Sequence, residues 1–435
     1  MMLHLAEHVH TLNAIWRNPH ASRATLDEFR NRKLRRLAAH AHKNVTHYRQ
    51  LFDSARIRTG DVQNVQHLER LPLTSKDDLR LRPLQEILSA GTDPATLVTH
   101  MTSGSSGKPF TVHRSRLEER LINLFRLRAL GQAGRRVSDR IARIGEVPLG
   151  GHRRGRADRL RRALKIYRDY HIDCFQSAES IAAELEALNP DMINGYPSAL
   201  GYVASRRELL ARVHPRLVVT GGELLSAPVR GEIERAFGVS PIDFYGAHEF
   251  NLIAWECPAQ GVYHVCDDNV IVELLREGKP AAEGETGEVV VTGLHTYTMP
   301  FIRYRTGDIA TRGSDSCACG QPYSTLLEIQ GRVVDYFRFA GNRRIHPYEI
   351  TGPLIESESE WVFQHQIVQE SEDAVRLKVA PRRQPGPHEM DRLQKLGRDK
   401  LGPQVRFTVE LVDSFPLVAG RKFSPYPNAD YDGSH

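Results

Sequence analysis

Apolar residues recur at helical spacing near the start of the chain. Leu26, Phe29, Leu34, Leu37 and Ala41 mark one face of a helix over 20–50, and arginine and lysine fill the other. Thr25-Leu-Asp-Glu28 has the form of a capping box. Thr74-Ser-Lys-Asp-Asp78, before Leu79, is a second helix-start signal. Near position 110 the pattern changes, and Phe110-Thr-Val112 reads as a strand. From 178, helix and strand signals alternate. A helix is expected over 179–188, a strand at Asp191-Met-Ile-Asn194, and a helix from Pro197 to about 211. Leu217-Val-Val-Thr220 is the next strand, ending in Gly221-Gly222. Ser226 caps a further helix, with Pro228 in its first turn and Gly238 closing it. Pro241-Ile-Asp-Phe244 is a strand ending in Tyr245-Gly246. This rhythm predicts a mostly parallel sheet. After 260 the pattern is β, with strands at Val270-Ile-Val-Glu-Leu-Leu275 and Glu288-Val-Val-Val-Thr292 around a Gly- and Glu-rich turn. The composition shifts again at Gly331-Arg332; 381–388 reads as a loop and the last ten residues are polar.

The expected class is therefore α/β. A large N-terminal region, 1–330, has a helical front to about 95, parallel-type sheet layers and a β subdomain. A small α+β C-terminal domain spans 331–435. With 435 residues, the chain has room for roughly two to three domains. Nothing approaches the ~20 apolar residues of a membrane span. The start, Met1-Met-Leu-His-Leu-Ala-Glu7, lacks a basic region followed by an apolar run, so no signal peptide is expected. Five cysteines, an odd number, argue against a disulfide framework and for a reducing, cytoplasmic setting. A net charge of +6 is mild for this length, and no nucleic-acid partner is expected. The densest basic run, Arg153 to Arg168, has two readings. One is a solvated helix face; the other is a site for phosphate groups or an acidic surface.

Candidate chemistry begins at Thr102-Ser103-Gly104-Ser105-Ser106-Gly107-Lys108-Pro109. Glycines let amide N–H groups converge on an anion, and four hydroxyls and one ammonium add donors. This is not a Walker A loop, because only two residues separate the glycines and a proline follows the lysine. Pro109 steers Lys108 away from helix, so the stretch reads as a strand–loop–strand grip for phosphates; a flexible surface turn is the plainer reading. In parallel sheets ligands bind beyond the carboxyl ends of strands, where Gly195-Tyr196, Gly221-Gly222 and Tyr245-Gly246 fall, with Glu249 nearby.

Five stretches stand in one order: Thr102–Pro109, Tyr245-Gly-Ala-His-Glu249, Tyr304-Arg-Thr-Gly-Asp308, Gly331-Arg332 and Gly420-Arg-Lys-Phe423. Together with His42-Lys-Asn-Val-Thr-His-Tyr-Arg49 and Leu71-Pro-Leu-Thr-Ser-Lys76 they resemble the phenylacetate–coenzyme A ligase family and its polysaccharide-cluster relatives, within the acyl-adenylate-forming superfamily. The resemblance covers most of the chain. It implies the adenylate-forming enzyme fold and the activation of a small carboxylic acid by ATP. An acyl-adenylate forms and its acyl group passes to the thiol of coenzyme A; an amine, a hydroxyl or a carrier thiol is the alternative acceptor. It implies that residues 102–108 hold phosphates, that Glu249 binds Mg²⁺ and that Lys422 serves adenylation. Tyr245 would offer a flat face to adenine, and Gly222 and Gly246 would belong to the cofactor site; Asp308 would accept the ribose hydroxyls and Arg332 would touch the ribose from the hinge. Core packing for Tyr245, a turn for Asp308 and surface charge for Arg421 and Lys422 are the plainer readings. Tyr196, Gly221 and His248 would line the acid pocket. His248, Val334 and Arg421 depart from the family pattern, where a small hydroxyl residue, an acidic hinge residue and a glycine are usual. A degenerate member acting as a zinc-stabilised scaffold is the reading from another class. The oligomeric state is open, a dimer included.

Cys317-Ala-Cys319 is a close thiol pair, with Cys257 and His264 upstream. Two thiols and a distant Cys and His complete a tetrahedral zinc set, and the resemblance implies the same four positions; unrelated reduced thiols are the alternative. Cys266 competes for a place in the set, and Cys174 reads as a core thiol.

Overall fold

The computed structural model describes residues 11–102, 110–145, 168–332 and 361–415, with 164, 166, 425, 427 and scattered positions between 337 and 360. Helix α1 (Arg23–Asn44) buries Leu26, Phe29, Leu34, Leu37 and Ala41, the face its spacing predicts. Its cap is Ser22, whose Oγ accepts the Thr25 N–H at 3.2 Å, so the helix starts ahead of the Thr25 box. It stops at Asn44 because Val45 is extended, and α2 (Thr46–Ser54) follows. The second start signal holds: Ser75 and Asp78 form a reciprocal capping box. Strands β1 (Val98–Thr102) and β2 (Phe110–Arg114) pair antiparallel, Thr102 opposite Phe110, and α3 (Arg116–Gln132) follows.

The next stretch alternates as expected. Strands β3 (Arg140–Gly145), β4 (Arg168–Asp173), β5 (Met192–Gly195) and β6 (Leu217–Gly221) run parallel in the order β4-β3-β5-β6. Helices α4 (Ala178–Leu188), α5 (Pro197–Ala204) and α6 (Ala227–Phe237) lie between strands or follow the last. Ile144, Ile193, Leu200, Val218 and Ile233 share one core. Helix α5 ends at Ala204, earlier than the periodicity suggests, and a 3₁₀ turn covers Arg207–Leu210. Ser226 stands at the cap of α6 without a side-chain cap bond, while Gly238 closes it at φ 72°.

Strands β7 (Ile242–Tyr245), β8 (Ala254–Glu256), β9 (Tyr263–Val265), β10 (Val270–Arg276), β11 (Lys279–Pro280), β12 (Thr286–Gly293), β13 (Tyr304–Arg312) and β14 (Thr325–Arg332) lie in the order β11-β10-β12-β13-β14-β9-β8-β7. After 331 come β15 (Phe337–Phe339) and β16 (Arg343–Ile345), then the hairpin β17 (Val362–Ser371)–β18 (Ala374–Pro381). Helix α7 (Pro387–Leu401) crosses over to β19 (Arg406–Leu411), which runs parallel to β18. Trp361, Ile367, Leu377, Leu393 and Phe407 form the core there.

The described residues fall into two compact units. Residues 11–102, 110–133 and 244–330 make the first; those within 134–243 and after 330 make the second. In the first, α1 and α2 bury Leu34, Leu37, Tyr48 and Phe52 against Ile271, Leu294 and Ile302. The Tyr48 hydroxyl donates to the Pro300 carbonyl and accepts from Ile302 N–H, both at 3.0 Å. Two fully buried carboxylates join the front to the strands. Asp267 pairs with Arg23 and Arg30, and Asp268 with Arg128. Removing one partner of such a buried pair costs about 3–5 kcal/mol, since the other charge is left uncompensated. In the second unit Arg382 pairs with Glu232 on α6 and donates to the Pro228 carbonyl at 2.9 Å. Among the described residues no helix is long and apolar enough to cross a membrane.

Candidate active site and metal centre

The stretch after β7 turns back on itself to meet β8. Asn251 N–H reaches the Ala247 carbonyl at 2.7 Å, and Ile253 N–H reaches the Tyr245 carbonyl at 2.9 Å. A Cβ on Gly246 would sit 2.0 Å from the Asn251 carbonyl oxygen, so this turn admits only glycine there. The tight turn carries His248 and Glu249. Glu249 is 6% exposed, and its Oε1 accepts the Tyr304 hydroxyl at 2.8 Å. Tyr304 opens β13, and three residues on Gly307 takes φ +78° before Asp308. The adjoining ladder with β12 is irregular between Glu288 and Val290, as a bulge would make it. Asp308 Oδ2 accepts the Tyr245 hydroxyl at 2.5 Å. Thus Tyr245, Glu249, Tyr304 and Asp308 come together in one unit by two short bonds. Tyr245 is partly buried and packs against the core, as the core-packing reading has it.

The other expected residues lie elsewhere. Tyr196 caps α5, Gly221 ends β6 and Gly222 follows it, all in the second unit. Thr102 ends β1, and Arg332 ends β14. Ser103, Gly104, Ser105, Ser106, Gly107 and Lys108 lie outside the described residues, as do Val334, Arg421 and Lys422. Of the basic run, Arg168 opens β4 and donates to the Ser138 carbonyl at 2.5 Å. Beside it a cavity of ≈ 390 Å³ is lined by Arg136, Arg140, Arg168 and Arg216. Arg140 and Arg216 are already paired with Asp191 and Asp139.

The cysteine cluster does assemble. Strand β14 pairs with β9, Thr325 opposite His264, which draws the turn at Cys317–Gly320 to the β8–β9 hairpin. Cys257, His264, Cys317 and Cys319 offer ligand atoms that all lie within 4.8 Å of one another. Cys257 and Cys317 sulfurs are 3.9 Å apart, and Cys319 Sγ is 3.4 Å from His264 Nε2. A tetrahedron with Zn–S of about 2.3 Å and Zn–N of about 2.0 Å has edges of roughly 3.8 and 3.6 Å, so the donor set fits a closed zinc site. Burial pushes the His264 imidazole down to about 4, which favours the neutral, ligating form. Cys266 belongs to another group, 3.4 Å from Arg128 Nη2 and bonded to Asp268. Cys174 is buried in the core of the second unit.

Several residues around Glu249 carry no signal in the sequence. Tyr304 lies in the motif quoted for Asp308, yet nothing in its spacing points to Glu249. Arg114 Nη1 donates to the His248 carbonyl at 2.6 Å, and Arg114 Nε to Glu119 at 2.9 Å. Only the folded chain brings these positions together.

No family model matches the chain. It is 25% identical over 390 residues to a phenylacetate-coenzyme A ligase of Thermus thermophilus, covering 82% of each chain. It is 27% identical over 316 residues to a phenylacetate-coenzyme A ligase of Escherichia coli, covering 66% of this chain and 68% of that one. Among solved structures, a 2-hydroxyisobutyryl-CoA ligase in the postadenylation state aligns with a TM-score of 0.76 at 22% identity, over 95% of this chain and 91% of that one. A benzoate CoA ligase from Burkholderia xenovorans aligns with a TM-score of 0.54 at 16% identity, over 78% and 68%. The fold is that of these coenzyme A ligases.

Proposed function

We infer that this chain, which resembles the phenylacetate–coenzyme A ligase family over most of its length, is an ATP-dependent carboxylate-activating ligase. A carboxylate oxygen of the acid attacks the α-phosphorus of ATP, and the bond to the β-phosphate oxygen breaks to release pyrophosphate. The thiol sulfur of coenzyme A then attacks the acyl carbon, AMP leaves, and the thiol proton passes to solvent. The observation that carries this reading is the junction of Tyr245 with Asp308 and Tyr304 with Glu249, in a chain whose motifs stand in family order.

The roles follow from charge and geometry. Asp308, with one oxygen oriented by Tyr245, accepts the ribose hydroxyls, and the ring of Tyr245 meets adenine. Glu249, held by the Tyr304 hydroxyl, is a hard oxygen donor suited to Mg²⁺, which neutralises polyphosphate charge when bound. Residues 102–108 hold the β- and γ-phosphates, and Arg332 touches the ribose. The attacking carboxylate and the α-phosphate repel each other, and Lys422 offsets that repulsion in the transition state. Residues 331–435 act as the small domain that carries this lysine. Zinc bound by Cys257, His264, Cys317 and Cys319 is structural, since four protein ligands leave no open position. The five cysteines form no disulfide, which suits a reducing, cytoplasmic setting.

The test is ATP–pyrophosphate exchange over a panel of arylacetic, benzoic, alkyl, 2-hydroxy and amino acids. Exchange with at least one acid, followed by thioester formation on adding coenzyme A, is expected. Absence of both exchange and MgATP binding would leave the scaffold reading.

A further inference from the structure

The turn Gly246–Asn251 that carries Glu249 lies between strands β7 and β8, outside any helix or strand. Two of its hydrogen-bond tethers lead to one carboxylate on α3. Glu119 Oε2 accepts from Arg114 Nε at 2.9 Å and from His100 Nε2 at 3.1 Å. Glu119 Oε1 accepts from Asn123 Nδ2 at 3.1 Å. Arg114, 2% exposed, carries the first tether, its Nη1 lying 2.6 Å from the His248 carbonyl oxygen and 3.4 Å from that of Glu249. Asn123 carries the second, its Oδ1 accepting from Asn251 Nδ2 at 2.7 Å. Asn251 is at φ 63°, in the left-handed region that asparagine tolerates better than most residues. His100 and Arg114 come from β1 and β2, and the His100 ring stacks on His248 at 5.9 Å between centroids, 19° from parallel.

We propose that Glu119 is the positioning residue of the site: it fixes the Glu249 turn, through Arg114 at one end and Asn123 at the other, to the β1–β2 hairpin. The charge suits this task. The His100 hydrogen bond, with the Arg114 charge, holds the Glu119 carboxyl down at about 2 against the opposing effect of burial, so it is ionised at any working pH. Charge-assisted bonds of this kind are about twice as strong as neutral ones. Tyr304 holds the Glu249 carboxylate itself, so losing Glu119 shifts the turn without releasing the side chain. A glutamine at 119 would turn an amide N–H₂ toward donors already there, either those of Arg114 and His100 or that of Asn123.

The proposal rests on Glu249 being the Mg²⁺ ligand, and its test is the Mg²⁺ dependence of nucleotide binding. The Kd of the full chain for ATP is measured by calorimetry in Mg²⁺ and in chelator, and the ratio is compared among variants. Glu249→Gln should cut the Mg²⁺ benefit more than any other variant and leave a measurable remainder, since its amide oxygen still offers one donor. Glu119→Gln should reduce it about tenfold, the scale of one charged hydrogen bond, and leave the Kd in chelator within about twofold. The double variant should lose no more than Glu249→Gln alone, a coupling that general destabilisation would not give. Asn123→Ala, which cuts one tether only, should lose about threefold and serves if Glu119→Gln fails to fold. An unchanged ratio in Glu119→Gln, or additive losses in the double variant, would overturn the proposal while the adenylating function stands. A wild-type chain with no Mg²⁺-dependent ATP binding would overturn that function, and this inference with it.

Discussion

Replacing Asp308 by alanine removes an acceptor with a specific expected signature. Its Oδ2 takes the Tyr245 hydroxyl at 2.5 Å, and in the proposed role the carboxylate also accepts the ribose hydroxyls. Each hydroxyl-to-carboxylate bond contributes about 1.5–3 kcal/mol. Asp308 is only partly buried, so water competes and the lower end applies. Two such bonds then amount to about 3 kcal/mol, or roughly 100-fold in ATP affinity. The deoxy nucleotides separate this from a general effect. Wild type should bind 2′-deoxyATP and 3′-deoxyATP roughly tenfold more weakly than ATP, one bond being lost in each. Asp308→Ala should bind all three alike. Tyr245→Phe, which frees the carboxylate without removing it, should cost about 1 kcal/mol and keep the discrimination. Calorimetric titration of wild type and Asp308→Ala with each of the three nucleotides forms the cycle, with the thermal midpoint as a folding check. If folded Asp308→Ala still distinguishes ATP from 2′-deoxyATP by the wild-type factor, the ribose assignment is wrong.

The remaining expectations are briefer. Lys422→Ala should slow acyl-adenylate formation by about 10²-fold or more and leave thiol transfer from supplied acyl-adenylate far less affected; the assignment passes to Arg421 if Arg421→Ala alone is slowed. Protein purified without chelator should contain about one zinc per chain, and Cys319→Ser should lower both metal content and thermal midpoint; five freely titrating thiols in native protein would exclude the site. His365 is buried on β17 with its imidazole pushed down to about 4 by burial. Its folded value lies below the ordinary 6.5, so the unfolded chain binds more protons between the two. Stability is therefore complete above about pH 6.5 and falls by about 3 kcal/mol as pH drops to about 4. Denaturant titrations across that window should show the slope, and His365→Phe should flatten it.

Local pattern along the chain was sufficient to place many of the elements in their order. Hydrophobic period was enough to place α1, α4 and the strands β5, β6, β10 and β12, and the cap signal to place the Ser75–Asp78 turn, because burying one face leaves a periodic trace along the chain. The sequence also carried the motif order, and Tyr245, Glu249 and Asp308 are legible from their neighbours alone. Where tertiary packing sets the boundary, the pattern ran past it. Helix α5 stops at Ala204 although the apolar spacing continues, and the Thr25 box yields to Ser22. Strands β3 and β4 were hidden because their flanking sequence is dominated by arginine, some of it engaged with Asp139, Asp191 and Ser138 only in the folded sheet.

Pairing across long separations belongs to the tertiary structure alone. Cys257 and Cys317 meet only because β14 lies beside β9, a register that no local propensity encodes. Tyr304 reaches Glu249 across 55 positions, and Arg114 reaches the His248 carbonyl across 134. A hydrogen bond depends on distance and direction in space. The partner of a buried carboxylate is therefore fixed by which strands and helices pack together, and residue types along the chain only limit the choice.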